Sequence, residues 1–239
     1  TLTKDYHYTT YVGSYFAMAI LTIIPFFFFI FYKNEETIKF EKAQSKKSII
    51  NLLSNKNIQL SMLSAGIGYT TMSTLMTATP ISMHNMHGFT IFATGIVLQA
   101  HVIGMFLPSL VTGDLIKNFG HKKIIYSGIV ILFLTIFIHF NFENYYSYMI
   151  GLILLGIGWN FLFVSGTSLL VVSYNKEDKF LAQGVNDFVV FSSQALGSLS
   201  AGIILFSTSW QTLNLICLPL LIILLLFSLF NKNKLKNEQ

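Results

Sequence analysis

Arginine is absent from this chain; all 15 basic residues are lysine. Together with the many Ile, Asn and Phe, this fits a base-composition bias of the genome, so lysine in place of arginine carries little chemical meaning. Charge of either sign is scarce, at 10% of residues against 53% hydrophobic. Soluble domains are nearer a quarter charged, so the composition excludes an ordinary soluble domain and points to the membrane. A single cysteine, Cys217, excludes an intramolecular disulfide, and nothing suggests a metal site or calls for a cofactor. No charged n-region with a short apolar core and a small-residue cleavage site follows Thr1, so no signal peptide is expected. The missing initiator Met reads as part of a longer protein.

What is present is long apolar runs. A spanning helix needs about 20 predominantly apolar residues. Seven stretches qualify, at 10–32, 58–83, 89–112, 124–141, 147–173, 181–206 and 211–230. The expected fold class is an all-α membrane protein with seven transmembrane helices. An odd number of spans puts the termini on opposite sides. Fourteen of the 15 lysines fall in alternate connections or after the last helix, and only Lys4 falls on the other side. The positive-inside rule makes the lysine-rich side cytoplasmic, with the N-terminus outside and the C-terminus inside. The opposite connections, near 84–88, 142–146 and 207–210, are short and free of lysine. Between the first two spans, residues 33–57 are charged at first. They turn amphipathic around Ile49, Ile50, Leu52 and Leu53, the pattern of an interfacial helix feeding the next span.

Polar residues inside the spans are the candidates for chemistry. A charge near the bilayer centre costs about 2.5–3.5 kcal/mol on insertion scales, so it usually faces a bundle interior or water. Asp187 is the only acid deep in a span. It shares a helical stripe with Gln183, Gln194, Ser198 and Ala201, while Phe188, Val189, Leu196 and Ile203 cover other faces. The bland alternative is a structural partner for a lysine or a helix terminus. Gln99 and His101 lie near the middle of the third span, and a histidine there changes protonation in the physiological range. Equally, a neutral imidazole bonded to a neighbouring helix would account for it. Trp159 and Asn160 sit mid-helix beside small residues, suited to a solute site or to helix packing. His139 is close to a helix end and reads as interfacial.

The second span reads GIGYTTMS from Gly66, and the fifth reads GIGWNFLF from Gly156. Each stretch begins about ten residues into its helix, and the two helices run in opposite directions. Tyr69 and Trp159, then Thr70 and Asn160, follow at matching offsets. A three-helix inverted repeat leaves such a trace, with matched positions near the midplane where transporters of that design bind substrate.

After the third span comes GDLIKNFGHKK, residues 113–123. It resembles the G-x-L-x-D-R-x-G-R-K-R signature of the major facilitator superfamily. Gly113, Leu115, Gly120, Lys122 and Lys123 match. Lys117 stands at the acidic position, and Asn118 and His121 stand at two arginine positions, which argues against a charge relay through that acid. Gly120 and the lysines still suit a tight cytoplasmic turn. Further stretches are similar to one subgroup of bacterial permeases in that superfamily: MTATPISM (76–83), LQAHVIGMFLPSLVTGDLI (98–116), GIGWNFLFVSGTSLL (156–170) and AQGVNDFVVF (182–191).

The resemblance implies that the seven helices are helices six to twelve of a twelve-helix transporter in a bacterial cytoplasmic membrane. Residues 1–32 would hold the last helix of the N-terminal bundle, 33–57 the cytoplasmic linker, 58–231 the C-terminal six-helix bundle and 232–239 a tail. The implied activity is alternating-access transport of a small organic solute, coupled to protons. Asp187 and His101 are the proton-coupling candidates, and Tyr69, Gln99, Trp159, Asn160 and Gln194 the substrate candidates. Gly113, Gly120, Lys122 and Lys123 form a gating loop. The partners are the solute, the lipid bilayer and the preceding helices of the same polypeptide, with no nucleic acid. The aromatics leave room for a planar or partly apolar solute. A seven-helix receptor or sensor shares the topology. Its retinal-binding form needs a lysine inside the last helix, and 211–230 has none. An enzyme would need a ligand cluster or paired carboxylates, and neither is found.

Overall fold

The computed structural model describes residues 12–31 and 49–231. The charged first half of the expected linker and the 232–239 tail lie outside the described residues. Every regular element among those described is helical.

Residues 1–43 and 44–239 separate into two units. In the first, Val12–Phe31 forms α1, an apolar helix of 20 residues with Pro25 inside it.

The second unit holds the remaining helices. Ile49–Leu53 is α2, the amphipathic turn read from the sequence, with Leu52 buried and Ile49 and Ile50 exposed. Lys56–Pro80 is α3, which runs on into a π-helical turn, Ile81–Met86. Then come α4 (Ile91–Phe106), α5 (Ser109–Phe119), α6 (His121–Asn141) and α7 (Tyr145–Ser173). A 3₁₀ turn, Lys176–Asp178, leads into α8 (Lys179–Ser207), followed by α9 (Trp210–Ile216) and α10 (Leu218–Phe230).

Local chemistry sets the boundaries. Asn55, Thr90, Asn144 and Ser209 cap α3, α4, α7 and α9, each side-chain oxygen accepting a backbone N–H of the first turn. Pro108 lacks an N–H and separates α4 from α5. Gly120, at φ 84°, makes the turn from α5 to α6 in a conformation that a side chain would disfavour.

α7 is the hub, packing against α3, α4 and α6, while α3 also packs along α8. At the α4–α7 seam backbone meets backbone. A methyl group on Gly156 would lie 2.6 Å from the His101 carbonyl oxygen, and one on Gly104 would lie 2.7 Å from the Ile153 carbonyl oxygen. Small residues let helix backbones touch where burial of apolar surface gives no drive between helices.

Five helical stretches among the described residues are long and apolar enough to cross a membrane: Ile91–Phe119, His121–Asn141, Tyr145–Ser173, Lys176–Ser207 and Trp210–Phe230. The seven expected spans are thus met in five. In α1 the apolar run narrows to Tyr15–Phe31. α3 is long enough, but its hydroxyls lower its hydropathy. Those hydroxyls are used internally: Ser61 and Ser64 donate to the Gly166 and Leu162 carbonyls of α7 at 2.7 and 2.9 Å. Large apolar side chains such as Phe92, Leu110, Leu199 and Ile203 cover the outside, the surface expected of a bundle solvated by lipid.

The 113–123 segment departs from the loop expected there. Helix continues to Phe119 and resumes at His121, so Gly113 lies within α5 and the connection shrinks to Gly120. An i→i−4 ladder satisfies this backbone without a loop, and glycine alone supplies the reversal.

Candidate functional site

α3 carries one half of the candidate site and α7 the other. Trp159 and Phe163 are one turn apart on α7 and stack, with ring centroids 5.1 Å apart and planes at 13°. Tyr69 from α3 meets both edge-on, at 5.2 and 5.1 Å, and Phe106 of α4 approaches Trp159 at 6.4 Å. Edge-to-face and offset stacks are the favourable arrangements for such rings. Trp159 is buried; Tyr69 and Phe163 keep part of their surface open. The two positions matched by the internal repeat, Tyr69 and Trp159, are therefore in contact. Phe163 escaped the sequence reading, although its i+4 spacing from Trp159 is the signal for it.

Asn160, next to Trp159, points elsewhere. Its amide nitrogen donates to the Met105 carbonyl at 2.8 Å and to Ser109 Oγ at 2.6 Å, and its oxygen accepts from Thr112 Oγ1 at 2.7 Å. It is 1% exposed. The side chain closes the break between α4 and α5 left by Pro108. His101 is fully buried on the same seam, with Nδ1 2.8 Å from the Leu152 carbonyl. A carbonyl only accepts, so Nδ1 carries the proton. Its Nε2 is buried without a partner. Gln99 is exposed on α4.

The polar stripe of α8 runs beside α3. Ser198 Oγ lies 3.1 Å from Thr77 Oγ1, and a methyl on Gly197 would lie 2.8 Å from the Thr70 carbonyl. Along the stripe, Asp187 is exposed, Gln194 and Ser198 are half-buried and Ala201 is buried. Asp187 has one weak protein contact, from Asn186 Nδ2 at 3.4 Å. Gln183 donates to the Tyr174 hydroxyl at 3.2 Å. α3 thus joins the aromatic group, through Tyr69, to the α8 stripe, through Thr77.

At the lysine-rich end, Lys122 Nζ donates to the Asn231 carbonyl, and Asn231 Nδ2 reaches Lys56 O and Asn57 Oδ1 at 3.2 Å each. This pins the ends of α3, α6 and α10 together; Lys123 is exposed.

A second polar cluster lies at the lysine-free end. His139 is fully buried, not interfacial as its place near a helix end suggested. Its Nδ1 lies 3.1 Å from Asn214 Oδ1, and the Asn214 amide donates to the Trp210 carbonyl at 2.8 Å. Tyr148 packs on Trp210 at 5.2 Å and shares a 2.7 Å hydrogen bond with Ser82. His87 and Glu143, 3.2 Å apart, complete the cluster at the surface. These partners come from the ends of α6 and α7, from α9, from the π-helical turn and from two short connections, all far apart in the chain, and no sequence signal joins them.

A family model described as Major Facilitator Superfamily matches residues 61–239. The chain is similar to the riboflavin transporter RfnT of Brucella anthropi, 30% identical over 217 residues, which are 90% of this chain and 54% of that protein. It is also similar to two uncharacterised MFS-type transporters of Bacillus subtilis. With YdeG it is 38% identical over 147 residues, 61% of this chain and 34% of that protein. With YddS it is 30% identical over 180 residues, 74% of this chain and 41% of that protein. The chain spans about half the length of these relatives, or less.

Proposed function

The chain belongs to the major facilitator superfamily, and on that premise we propose that it is the C-terminal part of a secondary transporter for a small, planar aromatic solute. In this reading it is an integral membrane protein of a bacterial cytoplasmic membrane. α1 is the sixth helix, ending the N-terminal bundle. α3, α4 with α5, α6, α7, α8 and α9 with α10 are helices seven to twelve, and residues 33–57 link the two bundles. The lysine-rich end faces the cytoplasm. The two bundles rock around a midplane site.

The observation that carries the reading is the part-open pair Tyr69 and Phe163, backed by buried Trp159. A flat solute stacks on such rings, and the amide and hydroxyl of Gln194 and Ser198 suit its polar rim. The likeness to a riboflavin transporter supports the same class. Asp187 is the coupling residue: exposed and nearly free of protein partners, it is open to exchange a proton during the cycle. His101, sealed in the α4–α7 seam, serves packing in the state described. The matched relatives are named as transporters, which leaves the receptor alternative without support.

The test is uptake of labelled riboflavin and of other planar heteroaromatic solutes by vesicles holding the full-length protein. Accumulation above empty vesicles, collapsed by a protonophore, is the expected result. Accumulation of none of them would overturn the solute class, and accumulation that ignores the protonophore would overturn the coupling.

A further inference from the structure

At the lysine-free end of the bundle, one histidine stands between two acceptors. His87 Nδ1 lies 2.9 Å from the Ser82 carbonyl oxygen, and Nε2 lies 3.2 Å from Glu143 Oε2. A carbonyl oxygen and an ionised carboxylate accept hydrogen bonds and donate none. Neutral imidazole has one N–H, so one contact would set lone pair against lone pair. Imidazolium donates at both nitrogens. The Tyr148 hydroxyl, 3.3 Å from Nδ1, can accept from Ser82 Oγ and donate onward, but the Ser82 carbonyl lies nearer, at 2.9 Å, and is the contact that a lone pair on Nδ1 would oppose.

Glu143 is held in place to receive the charge. Its other oxygen accepts from Gln211 Nε2 of α9. The contacts thus draw together the π-helical end of α3, the α6–α7 connection and the start of α9. The Ser82 carbonyl also accepts the His87 backbone N–H at 3.1 Å, so the ring adds a second donor where the π turn ends. Beyond it Gly88, at φ 68°, turns the chain toward α4.

The other groups near His87 leave Glu143 as its counter-ion. His84, on the same turn, has Nδ1 2.8 Å from the Phe89 carbonyl. Tyr145 and Tyr148 pack on Phe89. His139 approaches only through the Tyr148 ring, at 6.0 Å. Among the described residues, no lysine lies at this end. The side chains of His87 and Glu143 are 24% and 35% exposed, open to protons from solvent.

We propose that His87 is a proton-binding site whose charged form latches the outer end of α3 to the α6–α7 connection and α9 through Glu143. With the proton bound, both nitrogens donate and the latch is closed. When the proton leaves, one nitrogen faces an acceptor with a lone pair, and the latch opens. The latch therefore stabilises the bundle while His87 carries both N–H groups and Glu143 is ionised, and it is lost when either condition fails. The latch stands apart from the choice of solute and from Asp187.

The test is thermal unfolding of the full-length protein in lipid nanodiscs at a series of pH values, for the natural protein, His87→Ala, Glu143→Gln and the double variant. Near pH 6, all three variants should unfold at one common temperature below the natural protein, a difference of about twofold to fivefold in the folded-to-unfolded ratio. By about pH 9, where a histidine is neutral, the gap should close. A gap of equal size at both pH values would overturn the proposal in favour of an ordinary neutral hydrogen bond. Additive losses in the double variant would overturn it by showing no coupling between the two residues. Should His87→Ala fail to fold, Glu143→Gln alone decides, since its deficit must vanish with rising pH.

Discussion

A polar side chain in an apolar helix either finds partners or stays open, and Asn160 and Asp187 take the two courses. Asn160 makes three hydrogen bonds across the α4–α5 break, none of them toward open space. Replacing it with alanine removes the donor to the Met105 carbonyl and to Ser109 Oγ, while Thr112 Oγ1 keeps the Pro108 carbonyl at 2.7 Å, a loss of about 1–3 kcal/mol. Asn160→Ala should therefore lower thermal stability of the full-length protein while the substrate KM of the surviving fraction stays unchanged. A raised KM at normal stability would return Asn160 to the solute site. Asp187 is the opposite case. Asp187→Asn should insert and fold normally yet lose accumulation driven by a proton gradient, and unaltered accumulation would remove its coupling role. At the aromatic face, Phe163→Ala should raise KM for a planar solute by about twofold to tenfold, in line with about 0.5–1.5 kcal/mol for one ring pair. A changed expression level with the same KM would make Phe163 a packing residue.

Among the elements, α3 and the α4–α5 pair depart most from what hydropathy suggests. α3 hides its hydroxyls against α7 and along its own carbonyls, so a helix that is the least lipid-like by composition is among the most buried. α4 stops at Phe106 because Pro108 follows, yet α5 continues past it, with Asn160 bridging the gap. The α4–α7 seam depends on glycine. A methyl at Gly156 would sit 2.6–2.7 Å from backbone atoms of α4, which cannot rotate away. Gly156→Ala should cost ~3 kcal/mol or more and deplete folded protein. Gly184→Ala, where a methyl meets nothing within 4 Å, is the matched control and should leave the folded yield unchanged. Equal yields for the two would show that the seam tolerates repacking.

For the molecule as a whole, lysine placement and the turns divide the bundle into two ends. Asn85→Cys and Lys123→Cys should react with a membrane-impermeant thiol reagent from opposite sides, Asn85→Cys from outside. The natural Cys217 is buried and should stay silent. Labelling of both from one side would reject the topology. Much of this organisation is legible in the chain. The apolar runs, the short connections at 142–144 and 208–209, the amphipathic turn at Ile49–Leu53 and the reversal at Gly120 all follow from local composition or a single residue's backbone freedom. Tyr69 and Trp159 stand at matching offsets in two similar stretches of sequence, but that their rings meet is decided by the packing of α3 on α7.

Sequence alone determined that this chain is a helical membrane protein, where most of its helices begin and end, though not the break at Pro108 or the run of α5 to Phe119, and which family motifs it bears. These depend on side chains a few positions apart, and on a solvent, lipid, that sorts whole segments by hydropathy. Tertiary structure alone decided what each polar residue does. It turned Asn160 toward a helix break, sealed His101 and His139 inside, left Asp187 open, added Phe163 to the aromatic face and brought His87 to Glu143 across 56 residues. A polar side chain takes its role from the acceptor or donor that packing sets beside it, and that neighbour belongs to another helix.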